Sequence, residues 1–204
     1  VAGLDGTIWE TAVTRRDPNT GRNIQTAFLG KVPKDGVLLP VDTVFRPPPL
    51  HNPTWEFSSG PSEAGVRVLG QVPIPFSPER LDIWDPRGGF WTGTTDALRF
   101  VHISPEGDTL RIVERTATPR PVTPEDRERA VQELTDQYGE NLAVEEDDVP
   151  EVMPLWSGFF IDPEGRLWVE RFQPPGAPLL EPRTWEIYDP EGVYLGALEL
   201  LMDS

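Results

Sequence analysis

Apolar and polar positions alternate along most of this chain in short runs. "TIWETAVTRR", "NIQTAFLG", "VLLPVDTVF", "VRVLGQV", "RLDIWD", "GFWTGTT", "LRFVHIS", "TLRIVER", "SGFFID", "RLWVERF", "TWEIYD" and "YLGALEL" are each bounded by Gly, Pro, Asp or Asn. A period of two, filled with β-branched and aromatic residues, predicts strands. In "RLWVERF", Trp168, Glu170 and Phe172 share one side and Leu167, Val169 and Arg171 the other. Neither side is wholly polar, which is the pattern of a sheet packed between neighbouring sheets.

The punctuation between these runs is also regular. "DPEG" stands at 162–165 and again at 189–192, "DPRG" at 85–88, "SPEG" at 104–107 and "DPNTG" at 17–21. Proline in second place has the φ a tight turn needs, the glycine accepts positive φ, and Asp or Ser bonds back to the turn's own backbone. Each predicts a hairpin connection between antiparallel strands. The order repeats too: a turn at Asp5, Asp85 or Asp162 is followed by Trp9, Trp91 or Trp168, then by another strand and another turn. Turn, strand with Trp, strand, turn, strand is a degenerate internal repeat of a four-stranded antiparallel sheet, the signature of a propeller blade.

One stretch departs from this period. "VTPEDRERAVQELTDQYGEN" predicts a helix near 123–138, with Thr123 as N-cap, Pro124 in first position and Asp126 completing a capping box. Val131, Leu134 and Tyr138 form its apolar stripe and Gly139 its stop. The expected fold is therefore all-β: antiparallel four-stranded blades forming a partial or incomplete β-propeller with one inserted helix. A single domain spans 1–204, with blade-like repeats at about 1–45, 66–117 and 155–204, a Pro-rich surface loop at 46–65 and a helical insertion at 119–150.

"VPIPFSPERLDIWDPRGGFWTGTTDALRFVHISPEGDTLRIVER", the helix opened by "VTPEDRERAVQEL", and "FFIDPEGRLWVERF…TWEIYDPEGVYLGALEL" together resemble the C-terminal part of bacterial six-bladed β-propeller proteins of the NHL-like type. The resemblance covers about residues 66–200 and, more loosely, 1–45. It implies a periplasmic or extracellular protein of bacterial origin, associated with a membrane through a larger assembly. Its motifs specify a shape and no reaction. About twelve strands make three blades of four, and a six-bladed ring needs twice that. The ring is thus expected to be completed by sequence beyond this chain, or the propeller to be incomplete and its open edges covered. The chain opens at Val1 without an initiator Met or a signal peptide, so a processed or partial product of a longer gene is expected.

Composition narrows the partners. The 204 residues contain 24 Pro, 18 Gly and no Cys, which excludes disulfides and thiolate chemistry. Sixteen Arg against two Lys, Lys31 and Lys34, points to a GC-rich bacterial genome. The formal charge is −16, divided unevenly: 11 acids face 10 bases in residues 1–100, and 23 acids face 8 bases in 101–204. Nucleic-acid binding needs a basic footprint, so no nucleic-acid partner is expected. No apolar run approaches the roughly 18 residues of a membrane span.

Candidate chemistry is sparse. There is no Gly-x-Ser-x-Gly elbow, P-loop, dinucleotide fingerprint or His-Glu-x-x-His. His51 and His102 are too few for a three-His metal site, and His102 reads as a satisfied strand residue. Glu145 to Asp148 lack the alternating spacing of a calcium loop and read as a solvated acidic segment. No catalytic, cofactor or metal residue is assigned. The expected role is a non-catalytic extracytoplasmic protein-binding or scaffold module, an accessory subunit that meets other protein subunits; the alternative is a propeller hydrolase or lyase, or a small-ligand binder, with a metal in its channel. The partner-binding candidates are Trp55, Phe57, His51 and Trp156, aromatics and a histidine outside the repeat. Residues 1–65 are expected to make the main contact through the 46–60 loop and the adjacent strand edge, with the acidic stretch 140–151 facing solvent or a basic partner's rim.

Overall fold

The structure is a computed structural model that describes residues 53–58, 70–104, 107–139, 141–174, 176–177 and 181–201, with the backbone alone of 8–16, 23–32 and 69. The described residues are mostly antiparallel β-sheet with one α-helix. β1 (Ile8–Arg16) pairs with β2 (Asn23–Val32), and β3 (Thr54–Ser58) with β4 (Leu69–Pro73). β5 (Arg80–Trp84), β6 (Phe90–Thr94), β7 (Arg99–Ile103) and β8 (Thr109–Glu114) form a four-stranded meander in chain order. A second meander is made by β9 (Trp156–Ile161), β10 (Leu167–Arg171), β11 (Arg183–Tyr188) and β12 (Tyr194–Leu200). The run "VLLPVDTVF" and the turns at Asp5 and Asp17 lie outside the described residues.

The recurring turn has a side-chain reason. In the first meander Gly88 N–H bonds Asp85 O at 2.9 Å, and in the second Gly165 N–H bonds Asp162 O at 2.9 Å. Gly165 has φ +87°, the left-handed region that a side chain resists. The Asp carboxylate then reaches the returning strand: Asp85 Oδ2 accepts Trp91 Nε1–H at 3.1 Å, and Asp162 Oδ2 accepts Trp168 Nε1–H at 2.9 Å. Both bonds span six residues, and both tryptophans are the second residue of their strand. Turn and tryptophan recur together because one hydrogen bond joins them.

The two meanders share one core. Trp91, Leu98, Phe100 and Val113 of the first side pack with Trp156, Phe159, Ile161, Leu167, Val169 and Tyr188 of the second. Their recurring turns are neighbours as well: Arg87 forks onto Asp85 through Nε and Nη2, at 3.1 and 3.0 Å, and its Nη2 also donates to Gly165 O at 3.4 Å.

A second core gathers under α1 (Pro124–Tyr138), with Trp55, Val72, Ile74, Phe76, Ala130, Leu142, Val149 and Met153 buried in it. The helix follows its sequence signals. Thr123 Oγ1 accepts Asp126 N–H at 3.1 Å, Asp126 Oδ2 accepts Thr123 N–H at 3.2 Å, and Gly139 caps the end. The Thr123 hydrogen bonds, offset in part by burial, and Arg120 beside it hold the Asp126 carboxyl below its ordinary range. No helix of the described residues is long and apolar enough to cross a membrane.

The stretch 46–65 differs from the surface loop expected for it. Residues 54–58 form β3, because pairing with β4 buries Trp55 to 2 % exposure and Trp55 Nε1–H finds Asp148 Oδ2 at 3.2 Å. An apolar anchor beneath the strand outweighs the turn-forming residues around it.

If the indole–carboxylate bond sets the turn, Asp162→Ala and Trp168→Phe are not independent. A double-mutant cycle by urea unfolding is expected to return a coupling of about 1–2 kcal/mol. Additive effects would mean that the turn forms without it.

Candidate interaction face

The register of the second meander sorts its side chains into two faces. Leu167, Ile161 and Tyr188 stand level with one another, as do Val169, Phe159 and Glu186. This face is the buried one, turned to the first meander. On the opposite face Trp168 is level with Phe160 and Ile187, Trp185 with Glu170 and Leu198, and Arg183 with Leu200. The ring of Phe160 stacks on Trp168, centroids 5.7 Å apart, and meets Trp185 edge-on at 5.3 Å. No described element covers this stripe: Phe160 is 42 % exposed and Leu198 47 %. Trp185 Nε1–H is buried beneath it without an acceptor among the described residues.

The stripe runs into a sheet edge. β12 pairs with β11 on one side only, and among the described strands nothing bonds its other side. Its side chains are exposed on both faces, Tyr194, Leu195, Leu198 and Leu200 among them. Edge strands are commonly blunted by charge, proline or a bulge. Within β12, Glu199 is the one acidic side chain and Pro is absent, while a register shift at Leu195 interrupts the pairing with β11 near the start of the strand.

The opposite side of the same sheet is held by a carboxylate. Glu186 is 1 % exposed and receives Arg115 Nη2–H at 2.5 Å, Arg171 Nε–H at 2.7 Å and the Tyr188 hydroxyl at 2.9 Å. Burial pushes its carboxyl up, but these three donors outweigh burial and leave it below the ordinary glutamate range. Burial also raises the Tyr188 hydroxyl, to about 12. Arg115 follows β8 of the first meander, so the cluster ties the meanders together, and its guanidinium lies 5.0 Å from the Tyr194 ring centre.

At the turn of the first meander, His102 stacks on Trp91 at 4.7 Å and its Nε2 lies 3.1 Å from Gly88 O. Burial lowers its pKa, so the ring is neutral at pH 7 and Nε2–H donates to that carbonyl. Asp85 lies 3.6 Å from the same nitrogen, but its oxygens already accept from Arg87 and Trp91. His102 is thus a satisfied strand residue supporting a turn. Among the described residues no group of three or more His, Asp or Glu converges to hold a metal.

Of the residues singled out from sequence, Trp55 and Phe57 belong to the core under α1 and Trp156 to the core shared by the two meanders. Trp156 is 0 % exposed at the start of β9, and its Nε1–H donates to Ala97 O at 2.8 Å. Trp55 is equally interior, and Phe57 is half-buried against Tyr138 at 4.8 Å. His51 lies outside the described residues. Neither tryptophan offers a surface to a partner, because each indole fills a core and spends its N–H inside it. Glu145 to Asp148 are exposed, with Arg127 Nη1 bonding the carbonyls of Glu146 and Val149. The outer stripe of Phe160, Trp168, Trp185 and Leu198 was missed as a site. Its signal was the lack of a polar side in "RLWVERF", which points to a covering layer without saying which layer.

No protein-family profile and no curated protein matches this chain. Among solved structures, a crystal structure of a Bacteroides caccae protein of unknown function aligns over 94 % of this chain and 82 % of that one, with 12 % identity and a TM-score of 0.23.

The lowered Glu186 carboxyl makes acid stability a readout of the cluster. Its folded pKa lies below its unfolded value, so its contribution is present above about pH 4.5 and is lost as pH falls through the folded value. Glu186→Gln is expected to cost about 2–3 kcal/mol at pH 7 and to flatten the fall in stability between about pH 5 and pH 3. Urea titrations across that range check both.

Proposed function

We propose that this chain is a non-catalytic protein-binding or scaffold module, built from successive repeats of an incomplete β-propeller, whose last sheet receives a partner. The observation that carries this reading is the uncovered aromatic and aliphatic face of β9–β12, continuous with the apolar edge of β12. Uncovered apolar surface of this kind marks interaction sites in soluble proteins. An unpaired strand edge beside it adds main-chain donors and acceptors that an added strand can pair with.

The partner chemistry follows from the face. It is a largely apolar sheet face, with Arg183 and Glu170 paired at 2.5 Å on it. A flat sheet or strand-bearing protein surface fits it, as each repeat here already fits its neighbour across a shared core. The formal charge of −16 favours a partner with a cationic rim. The resemblance to extracytoplasmic bacterial propellers supports a setting outside the cytoplasm, as an accessory subunit of a larger membrane-anchored assembly.

Photo-crosslinking in cells tests the face directly. With p-benzoylphenylalanine in place of Phe160 or Leu198, a discrete protein adduct is expected; in place of Glu125, at the exposed start of α1, none is expected. Equal labelling at the three positions, or no adduct at 160 and 198, overturns the reading.

A further inference from the structure

The two meanders correspond position for position through the bond that closes their turns. Asp85 holds Trp91 and Asp162 holds Trp168, each six residues on. The strand registers equate the rest. Ile83, level with Trp91, corresponds to Phe160, level with Trp168. Phe100, level with Gly93 and Val113, corresponds to Trp185, level with Glu170 and Leu198.

On the first meander these positions are the face that the second meander covers. Trp91, Phe100 and Val113 are 2 %, 1 % and 4 % exposed in the shared core, with Ile83 packed against it. Phe159, Ile161, Leu167, Val169 and Tyr188 of the second meander stand against them. Their counterparts on the second meander are the stripe of Phe160, Trp168, Trp185 and Leu198, which no described element covers. Stacked repeats bury such faces on one another, and a terminal repeat carries a polar outer face instead. The β9–β12 sheet therefore has the outer face of an interior repeat. Among the described strands β8 ends its sheet as β12 does, so the contact that recurs is face to face and not an extension of the sheet.

Charge differs at the corner of this contact. Arg87, third in its Asp-Pro-x-Gly turn, donates to Gly165 O across it at 3.4 Å. The third residue of the second turn is Glu164, exposed and paired with Arg166 Nη2 at 3.1 Å. Arg166 Nε takes the turn carboxylate, Asp162 Oδ2, at 2.6 Å, as Arg87 Nε takes Asp85. Glu164 cannot donate to a carbonyl as Arg87 does; what a carboxylate accepts best is a cationic donor. We infer that the occupant of the β9–β12 face is an antiparallel sheet of another protein chain, laid face to face. It presents aliphatic and aromatic side chains, as β9–β11 present them to the first meander, and brings an Arg or Lys beside Glu164. This rests on the reading of the face as a docking site and specifies what docks there.

Mapped photo-crosslinks in cells test it, with p-benzoylphenylalanine in place of Phe160, Leu198 or Glu164 of the whole chain. Mass spectrometry of the adducts is expected to place the cross-links from 160 and 198 in apolar segments of period two within one partner chain. The cross-link from 164 is expected in a turn bounding such a segment. Glu164→Arg, which copies position 87, should lower the adduct yield at 160 about fivefold or more by setting like charges together. Cross-linked peptides of helical period, an adduct made of two copies of this chain, or a yield that Glu164→Arg leaves unchanged or raises overturns the inference while the face remains a docking site. No adduct from any of the three positions overturns both.

Discussion

Trp156 is the contact on which the described fold depends. It is the first residue of β9, yet its indole belongs as much to the first meander as to the second. Its N–H reaches Ala97 O in the β6–β7 turn, and its ring meets Phe100 at 5.2 Å and Phe159 at 5.5 Å. The backbone beside it follows, with Leu155 N–H on Thr95 O at 2.7 Å. Buried aromatics of this size dominate core energetics. The ring comes so close that a Cβ on Gly93 would stand 3.2 Å from Trp156 Cζ2 and 3.0 Å from Phe100 Cδ1. A side chain at 93 would make these rings give by a few tenths of an ångström where the two sheets meet.

Around that apolar centre the buried carboxylates of the described residues are placed on donors. Asp85 is fully buried; burial pushes its carboxyl up, but hydrogen bonds from Arg87 and Trp91 leave it lowered. Asp162 behaves in the same way with Trp168 and Arg166. Glu186 takes donors from two meanders. An ionised carboxylate leaves water only where several N–H or O–H groups replace it. These clusters therefore fix which strand lies beside which, while the apolar contacts supply most of the driving force.

The second meander divides its side chains between two unlike faces. Alternation puts Leu167 and Val169 inward and Trp168 and Glu170 outward along the same strand. The inward side is spent on the shared core. The outward side keeps an apolar character that folding of the described residues does not use.

Much of the local structure was legible in the chain. Period-two runs marked the strands from β5 onward, the Asp-Pro-x-Gly turns marked the hairpins, and Thr123, Pro124, Asp126 and Gly139 marked the helix with its ends. Those signals act between residues a few positions apart, so composition and spacing carry them. The recurrence of Asp with Trp six residues on was visible as well, although its cause, the indole bond, is a matter of side-chain reach. Tertiary structure alone decided what depends on distant pairs. Trp55 and Trp156 read from sequence either as aromatics for a partner or as caps on the core beneath a loop, and contacts with Asp148, 93 residues away, and Ala97, 59 residues away, place them inside. Burial of a given aromatic is set by what the rest of the chain brings against it, and a linear pattern of hydrophobicity contains the need for cover without the identity of the cover.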